Sequence, residues 1–181
     1  DDAKQVLEQA KQQGLVGEKL NALRLQLPSI PQTENANSAS PSQQQLHSLS
    51  EHYQKGRYGD AEKLALSITQ EFPEHQFAWN ILGGVFKKTG RVSESLVASQ
   101  KSVQLAPQDA AAHYNLGNTL RDLGRLEEAE ASYTQAVALK PDYVEAHSNL
   151  AVTLKELGRL EEAEASYAQA VVLKPDFAEA H

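Results

Sequence analysis

The chain repeats itself every 34 residues, and a period of that size admits few folds. Tyr114–His147 and Ser148–His181 align without a gap, and 25 of their 34 positions are identical. Two weaker copies precede them at the same period. Self-similarity at this length marks stacked supersecondary units, each too small to bury its own apolar face alone.

The punctuation of the units sets their internal structure. Glycines recur at Gly56, Gly90, Gly124 and Gly158, and prolines at Pro73, Pro107, Pro141 and Pro175, each series at the same 34-residue spacing. Glycine suits the left-handed position just past a helix end, and proline cannot continue a helix. Each unit therefore reads as helix A, a tight turn at glycine, helix B and a proline-marked turn. Asp142 and Asp176, directly after their prolines, are the expected N-caps of the following helices A.

Apolar spacing agrees. In the third unit Leu116, Leu120 and Leu123 share one face of helix A. In its helix B, Leu126, Ala129, Tyr133, Ala136 and Val137 recur at three- and four-residue steps. Gly117, Ala129 and Ala136 let helices approach closely, while Leu116 and Tyr133 fill the gaps. Aromatics are only 6% of the chain, so Leu, Val and Ala must carry most of the core.

Trp79-x2-Leu82-Gly83-x2-Phe86, Ala129-x3-Tyr133 and the proline series resemble the tetratricopeptide-repeat family, over about 140 of the 181 residues. The resemblance implies an all-α fold, a right-handed superhelical solenoid of antiparallel helix pairs with helices A lining the concave side. The four repeats fall at about 42–75, 76–109, 110–143 and 144–177, within an array over 45–181. The first departs from the pattern. Gln45 and Ser48 sit where bulky and apolar residues are usual, with Leu46, Leu49 and Tyr53 displaced by one, so an adjusted, cap-like helix is expected there.

Residues 176–181 repeat 142–147, so a fifth helix A is expected to begin and the native chain to continue past His181. Ahead of the array, 28–44 holds three prolines with much Ser, Asn and Gln and reads as a flexible linker. Residues 1–27 read as a short helical extension. Val6, Leu7 and Ala10, then Leu20, Leu23 and Leu27, outline two amphipathic segments split by Gly14 and Gly17. Neither is long enough to be stable alone, so both are expected to dock on this array or on a neighbouring chain. Methionine is absent and the chain opens with Asp1-Asp2, as expected of a fragment or processed chain.

The totals exclude several functions. A net charge of −7 argues against nucleic acid or an anionic membrane as the main partner, since both need a basic footprint. No apolar run approaches a membrane helix. Without cysteine there is no thiolate metal site and no cysteine nucleophile. The cytoplasm is the expected compartment, although lacking cysteine is compatible with any. No phosphate-binding loop, dinucleotide fingerprint, His-Glu-x-x-His or nucleophile elbow is present, so neither catalysis nor a cofactor is expected.

The candidate binding residues lie on helices A. Asn115 and Asn149, in His-Tyr-Asn-Leu-Gly and His-Ser-Asn-Leu-Ala, resemble the asparagine ladder in the superhelical arm of O-linked N-acetylglucosamine transferase. That likeness implies binding of a peptide backbone, and an amide offers it both a donor and an acceptor. The second repeat has Ile81 at this position and the first His47, so a ladder would be short. Asn80, Asn118 and Tyr114 join the candidates. Lys87, Arg121 and Lys155 recur near the ends of helices A. They are read either as a cationic stripe along the groove or as charges answering the helix dipole. The carboxylate clamp of chaperone-binding relatives needs cations where this chain has Ala111, Tyr114, Glu145 and Ser148, which argues against a heat-shock chaperone tail. His113, His147 and His181 are periodic too, but successive repeats stand two helix layers of about 8–10 Å apart, against metal–nitrogen bonds of about 2 Å. They read as packing residues at helix starts, and no metal is expected. Glu127, Glu128, Glu130, Glu161, Glu162 and Glu164, with Arg57, Arg91, Arg125 and Arg159, read as solvated surface.

The leading expectation is a scaffold that binds a protein or peptide, extended or helical, in its groove. Two alternatives stand beside it. One is the substrate-selecting, non-catalytic arm of a larger transferase such as a protein O-GlcNAc transferase. The other is a self-assembly module acting through the array ends or the N-terminal helices.

Overall fold

The computed structural model describes residues 40–174. The expected N-terminal segments, most of the linker, Asp176 and the start of a fifth repeat lie outside these residues. Eight helices follow one another: α1 (Gln43–Gln54), α2 (Tyr58–Glu71), α3 (Gln76–Lys88), α4 (Val92–Leu105), α5 (Ala110–Asp122), α6 (Leu126–Leu139), α7 (Val144–Glu156) and α8 (Leu160–Leu173). They form four antiparallel A–B pairs stacked in sequence order. Among the described residues no helix is long and apolar enough to cross a membrane.

The turn inside each pair is built the same way four times. Gly56, Gly90, Gly124 and Gly158 have φ of 70°, 77°, 70° and 78°. A Cβ at any of them would meet nothing within 4 Å, so the left-handed backbone, not lack of room, calls for glycine. The following arginine closes the helix. The Arg125 N–H donates to the Leu120 carbonyl at 3.0 Å and the Gly124 N–H to the Arg121 carbonyl at 2.9 Å. These are the paired bonds of a Schellman motif, and they satisfy carbonyls the helix leaves open.

Two helix starts differ from expectation. Asp142 is exposed and caps nothing. The N-cap of α7 is Tyr143, which makes no side-chain capping bond. The turn closes through the Tyr143 N–H on the Lys140 carbonyl at 3.1 Å, which leaves Asp142 one residue too early. One repeat earlier Asp109 holds the cap position itself and accepts from the Ala111 N–H at 2.9 Å. Helix α1 begins at Gln43, inside the segment expected to be linker. Ser42 accepts from the Gln45 N–H at 3.2 Å, and the Gln45 side chain accepts from the Ser42 N–H at 2.8 Å. That reciprocal box explains why Gln45 stands where other repeats carry a bulky residue. The apolar face of α1 is met by Leu46, Leu49 and Tyr53, and Leu49 is fully buried.

The core is divided. Leu49, Ile68, Leu82, Val85 and Phe86 anchor one cluster, and Leu120, Tyr133, Leu150 and Leu154 another. Between them α4 buries Ser95, Ser99 and Ser102 against α3 and α5. The Ser95 hydroxyl donates to the Gly83 carbonyl at 2.9 Å and lies 3.0 Å from Thr119 Oγ1, which itself donates to the Asn115 carbonyl. These bonds offset the cost of burying hydroxyls in a helix interface. The backbones of successive helices A approach each other, whereas those of successive helices B stay apart among the described residues. The helices A therefore lie on the inner side of the stack.

Candidate peptide-binding groove

Along that inner side the asparagines join one helix A to the next. Asn115 Nδ2 donates to Asn80 Oδ1 at 2.7 Å. Asn149 Nδ2 donates to Asn118 Oδ1 at 2.8 Å and to the Tyr114 hydroxyl at 3.2 Å. Partners stand 35 and 31 residues back, so the amides zigzag instead of meeting at the repeat period. Asn80 thus supplies the rung that Ile81 lacks. Asn118 Oδ1 also accepts from the hydroxyl of fully buried Tyr133 at 2.8 Å. Burial raises the Tyr133 pKa well above the usual phenol range and pushes Tyr143 up to about 12, with Tyr114 beside both. Both phenols keep their protons at neutral pH, and Tyr133 remains a donor. The rings of Tyr114 and Tyr143 stand 4.9 Å apart, which fixes Tyr114 between two repeats.

These bonds use only part of each amide. The Oδ1 atoms of Asn115 and Asn149 and the Nδ2 atoms of Asn80 and Asn118 make no further bond among the described residues. Free acceptors and free donors therefore alternate along the inner side.

One of the three cations is already paired. Lys87 is 3.1 Å from Asp122, tying α3 to α5, and both are only partly exposed. Arg121 and Lys155 sit in the last turns of α5 and α7 and make no ion pair among the described residues.

The histidine series has a plain structural task. Nε2 of His113 donates to the Pro107 carbonyl and that of His147 to the Pro141 carbonyl, both at 3.0 Å. Trp79, one repeat earlier, does the same with Nε1 to the Pro73 carbonyl at 2.8 Å. Two of the arginines read as solvated surface reach further than expected. Arg91 bridges Glu94 and Glu62, and Arg159 bridges Glu162 and Glu130, all at 2.6 Å. They link successive helices B, while Arg125 pairs only with Glu128, because Leu96 stands where the second carboxylate would be. Among the described residues no group of three or more His, Cys, Asp or Glu could hold a metal ion.

A cavity of about 330 Å³ opens between α1, α3, α4 and α5. Gly83, Gly84 and Ser99 line it together with Tyr53, Tyr114, Asn115, Asn118 and Thr119, and Lys87 and Lys88 complete its wall. The sequence reading missed it. Its signal is that Ser99 occupies, by the 34-residue period, the place of Tyr133 and Tyr167.

Four family models match the chain: one described as TPR repeat over 117–158, and three as tetratricopeptide repeat over 50–110, 98–131 and 144–177. The matches run from residue 50 to 177 without a break. The chain is a tetratricopeptide-repeat protein. Its fold is shared by a crystal structure of MamA, at 20% identity and TM-score 0.68, covering 75% of this chain and 79% of that one. It is also shared by YrrB, described as a TPR protein with an unusual peptide-binding site, at 23% identity and TM-score 0.65, covering 73% and 68%. A mutant O-GlcNAc transferase of Thermobaculum terrenum is 31% identical with TM-score 0.56, over 63% of this chain but only 23% of its own. The likeness to the transferase is thus confined to a small part of that protein. No curated protein matches the sequence.

Proposed function

We propose that this tetratricopeptide array is a binding module that holds an extended peptide against its helices A, recognising the peptide backbone through Asn80, Asn115, Asn118 and Asn149. The observation that carries this reading is the alternation of unused amide acceptors and donors along the inner side. A peptide in extended conformation presents its own N–H and C=O groups alternately, so such a row can pair with any sequence. The bonds among the asparagines hold the amide planes in place before the ligand arrives, which lowers the entropy cost of binding.

The test is a peptide library panned against the chain, followed by titration of a selected peptide. Replacing Asn115 and Asn149 together by alanine is expected to weaken binding by about 1–3 kcal/mol, because peptide groups desolvated in the groove are left without hydrogen-bond partners. Replacing Glu128 and Glu162 together removes two surface ion pairs with Arg125 and Arg159 and is expected to leave affinity unchanged. Equal loss from the glutamate pair, with the asparagine pair neutral, would sink the reading.

A further inference from the structure

We infer that the cavity beside Ser99 receives a tyrosine side chain of the bound peptide, a deepening that rests on the groove reading above. The helix B position of Tyr133 holds Ala65 in the first repeat, Ser99 in the second and Tyr167 in the fourth. The corresponding helix A position holds Leu49, Gly83, Gly117 and Ala151 in order. The first repeat sets a large Leu49 with a small Ala65, and the third sets Tyr133 against Gly117. Only the second places small against small, and the cavity is there.

The third repeat shows what shape that space has. A Cβ on Gly117 would lie 2.7 to 3.0 Å from the ring atoms of Tyr133, so the ring lies directly on the glycine. Its hydroxyl meets Asn118, which Asn149 also joins, and the ring of Tyr114 stands 6.0 Å away. Shifted back one repeat, Gly117 and Asn149 become Gly83 and Asn115, which line the cavity. Part of the ring's place is taken by Ser99 itself, whose Oγ is 2.8 Å from where a Cβ on Gly83 would be; the cavity is the rest of that space. Tyr53 closes its far side, with its hydroxyl 2.7 Å from where a Cβ on Gly84 would be.

The chemistry of the walls selects the occupant. Ser99 is 2% exposed, lines the cavity, and its hydroxyl makes no hydrogen bond among the described residues. Tyr133 enters its own space from helix B and points its hydroxyl to the inner side. A side chain entering from the groove runs the opposite way, so its ring stands beside Gly83, whose own face Ser99 covers, and its hydroxyl meets Ser99 Oγ. A carboxylate fits less well, since of the two lysines on the wall Lys87 is already paired with Asp122 at 3.1 Å and Lys88 is exposed to solvent. The segment 1–39 contains no aromatic residue, so it cannot supply the ring.

The probe is p-cresol, the side chain of tyrosine, with toluene as the same molecule lacking the hydroxyl. Both are titrated into the full chain while the amide resonances of Gly83, Gly84, Ser99 and Thr119 are followed. Saturable shifts at these amides are expected, with p-cresol bound about fivefold more tightly, the value of one hydrogen bond of about 1 kcal/mol. Ser99→Ala should bring p-cresol to the toluene level. Ser99→Tyr should abolish both and raise the melting temperature; if that chain fails to fold, Ser99→Leu makes the same test of filling. Absence of saturable shifts, undiminished p-cresol binding after filling, or a p-cresol preference that survives Ser99→Ala would overturn the assignment. If the asparagine pair proves irrelevant to peptides while p-cresol still binds, the groove reading falls and the cavity stands. The reverse result removes the cavity alone.

Discussion

A Cβ added at Gly117 would lie 2.7 Å from the ring of Tyr133, closer than real side-chain carbons approach. Tyr133 cannot retreat, because it is fully buried and its hydroxyl is held by Asn118. Gly117→Ala gains up to about 1 kcal/mol of helix propensity, yet overpacking a core of this kind costs about 1–3 kcal/mol. Net destabilisation of about 1 kcal/mol is expected, read as a lower midpoint in urea at constant slope. An unchanged or raised midpoint would show that the ring has room to move. Gly117 was legible as a site of close approach because small and bulky residues alternate in the third repeat. The bonds among the asparagines were not legible. They depend on a stagger of 35 and 31 residues that a strict 34-residue alignment hides.

At the scale of the helix, glycine and proline punctuation placed every turn of the described array, since both residues act through backbone geometry that no neighbour can override. Caps were harder to read. Asp142 has the right side chain one residue early, and Ser42, which Gln45 answers, lay inside what composition marked as linker. The Ser42 box satisfies N–H groups at the start of α1, the helix that carries Leu49 and Tyr53 to the first repeat. Ser42→Ala is expected to cost about 1 kcal/mol. The loss should be concentrated in α1, measured as faster amide exchange from Leu46 to Glu51 with the last two repeats unaffected. Uniform loss along the array would mean that α1 does not open by itself.

Across the whole molecule, stability in a stack of repeats is close to a sum of each pair and its contacts with the next. The second repeat is the weak term among the interior ones. It exchanges the buried Ala129, Tyr133 and Ala136 of the third for Ser95, Ser99 and Ser102, and it contains the cavity. Amide hydrogens of α3 and α4 are therefore expected to exchange faster than those of α5 and α6 under native conditions. Ser99→Tyr should narrow the gap by filling the space. Equal protection in the two repeats would show that the hydroxyl bonds and the apolar packing are worth the same. A repeat that yields first next to an open cavity lets a ligand stiffen the joint it occupies.

The indole of Trp79, bonded to the carbonyl of Pro73, sits where the later repeats use histidine, and it is the sole tryptophan of the chain. Nature has thereby left one indole fluorophore at one joint, the turn between α2 and α3, next to the repeat expected to yield first. Its emission reads the opening of that turn, whereas far-ultraviolet dichroism averages all the helices. The interval between the two melting curves then becomes a direct optical measure of how far the repeats act together, with no label attached.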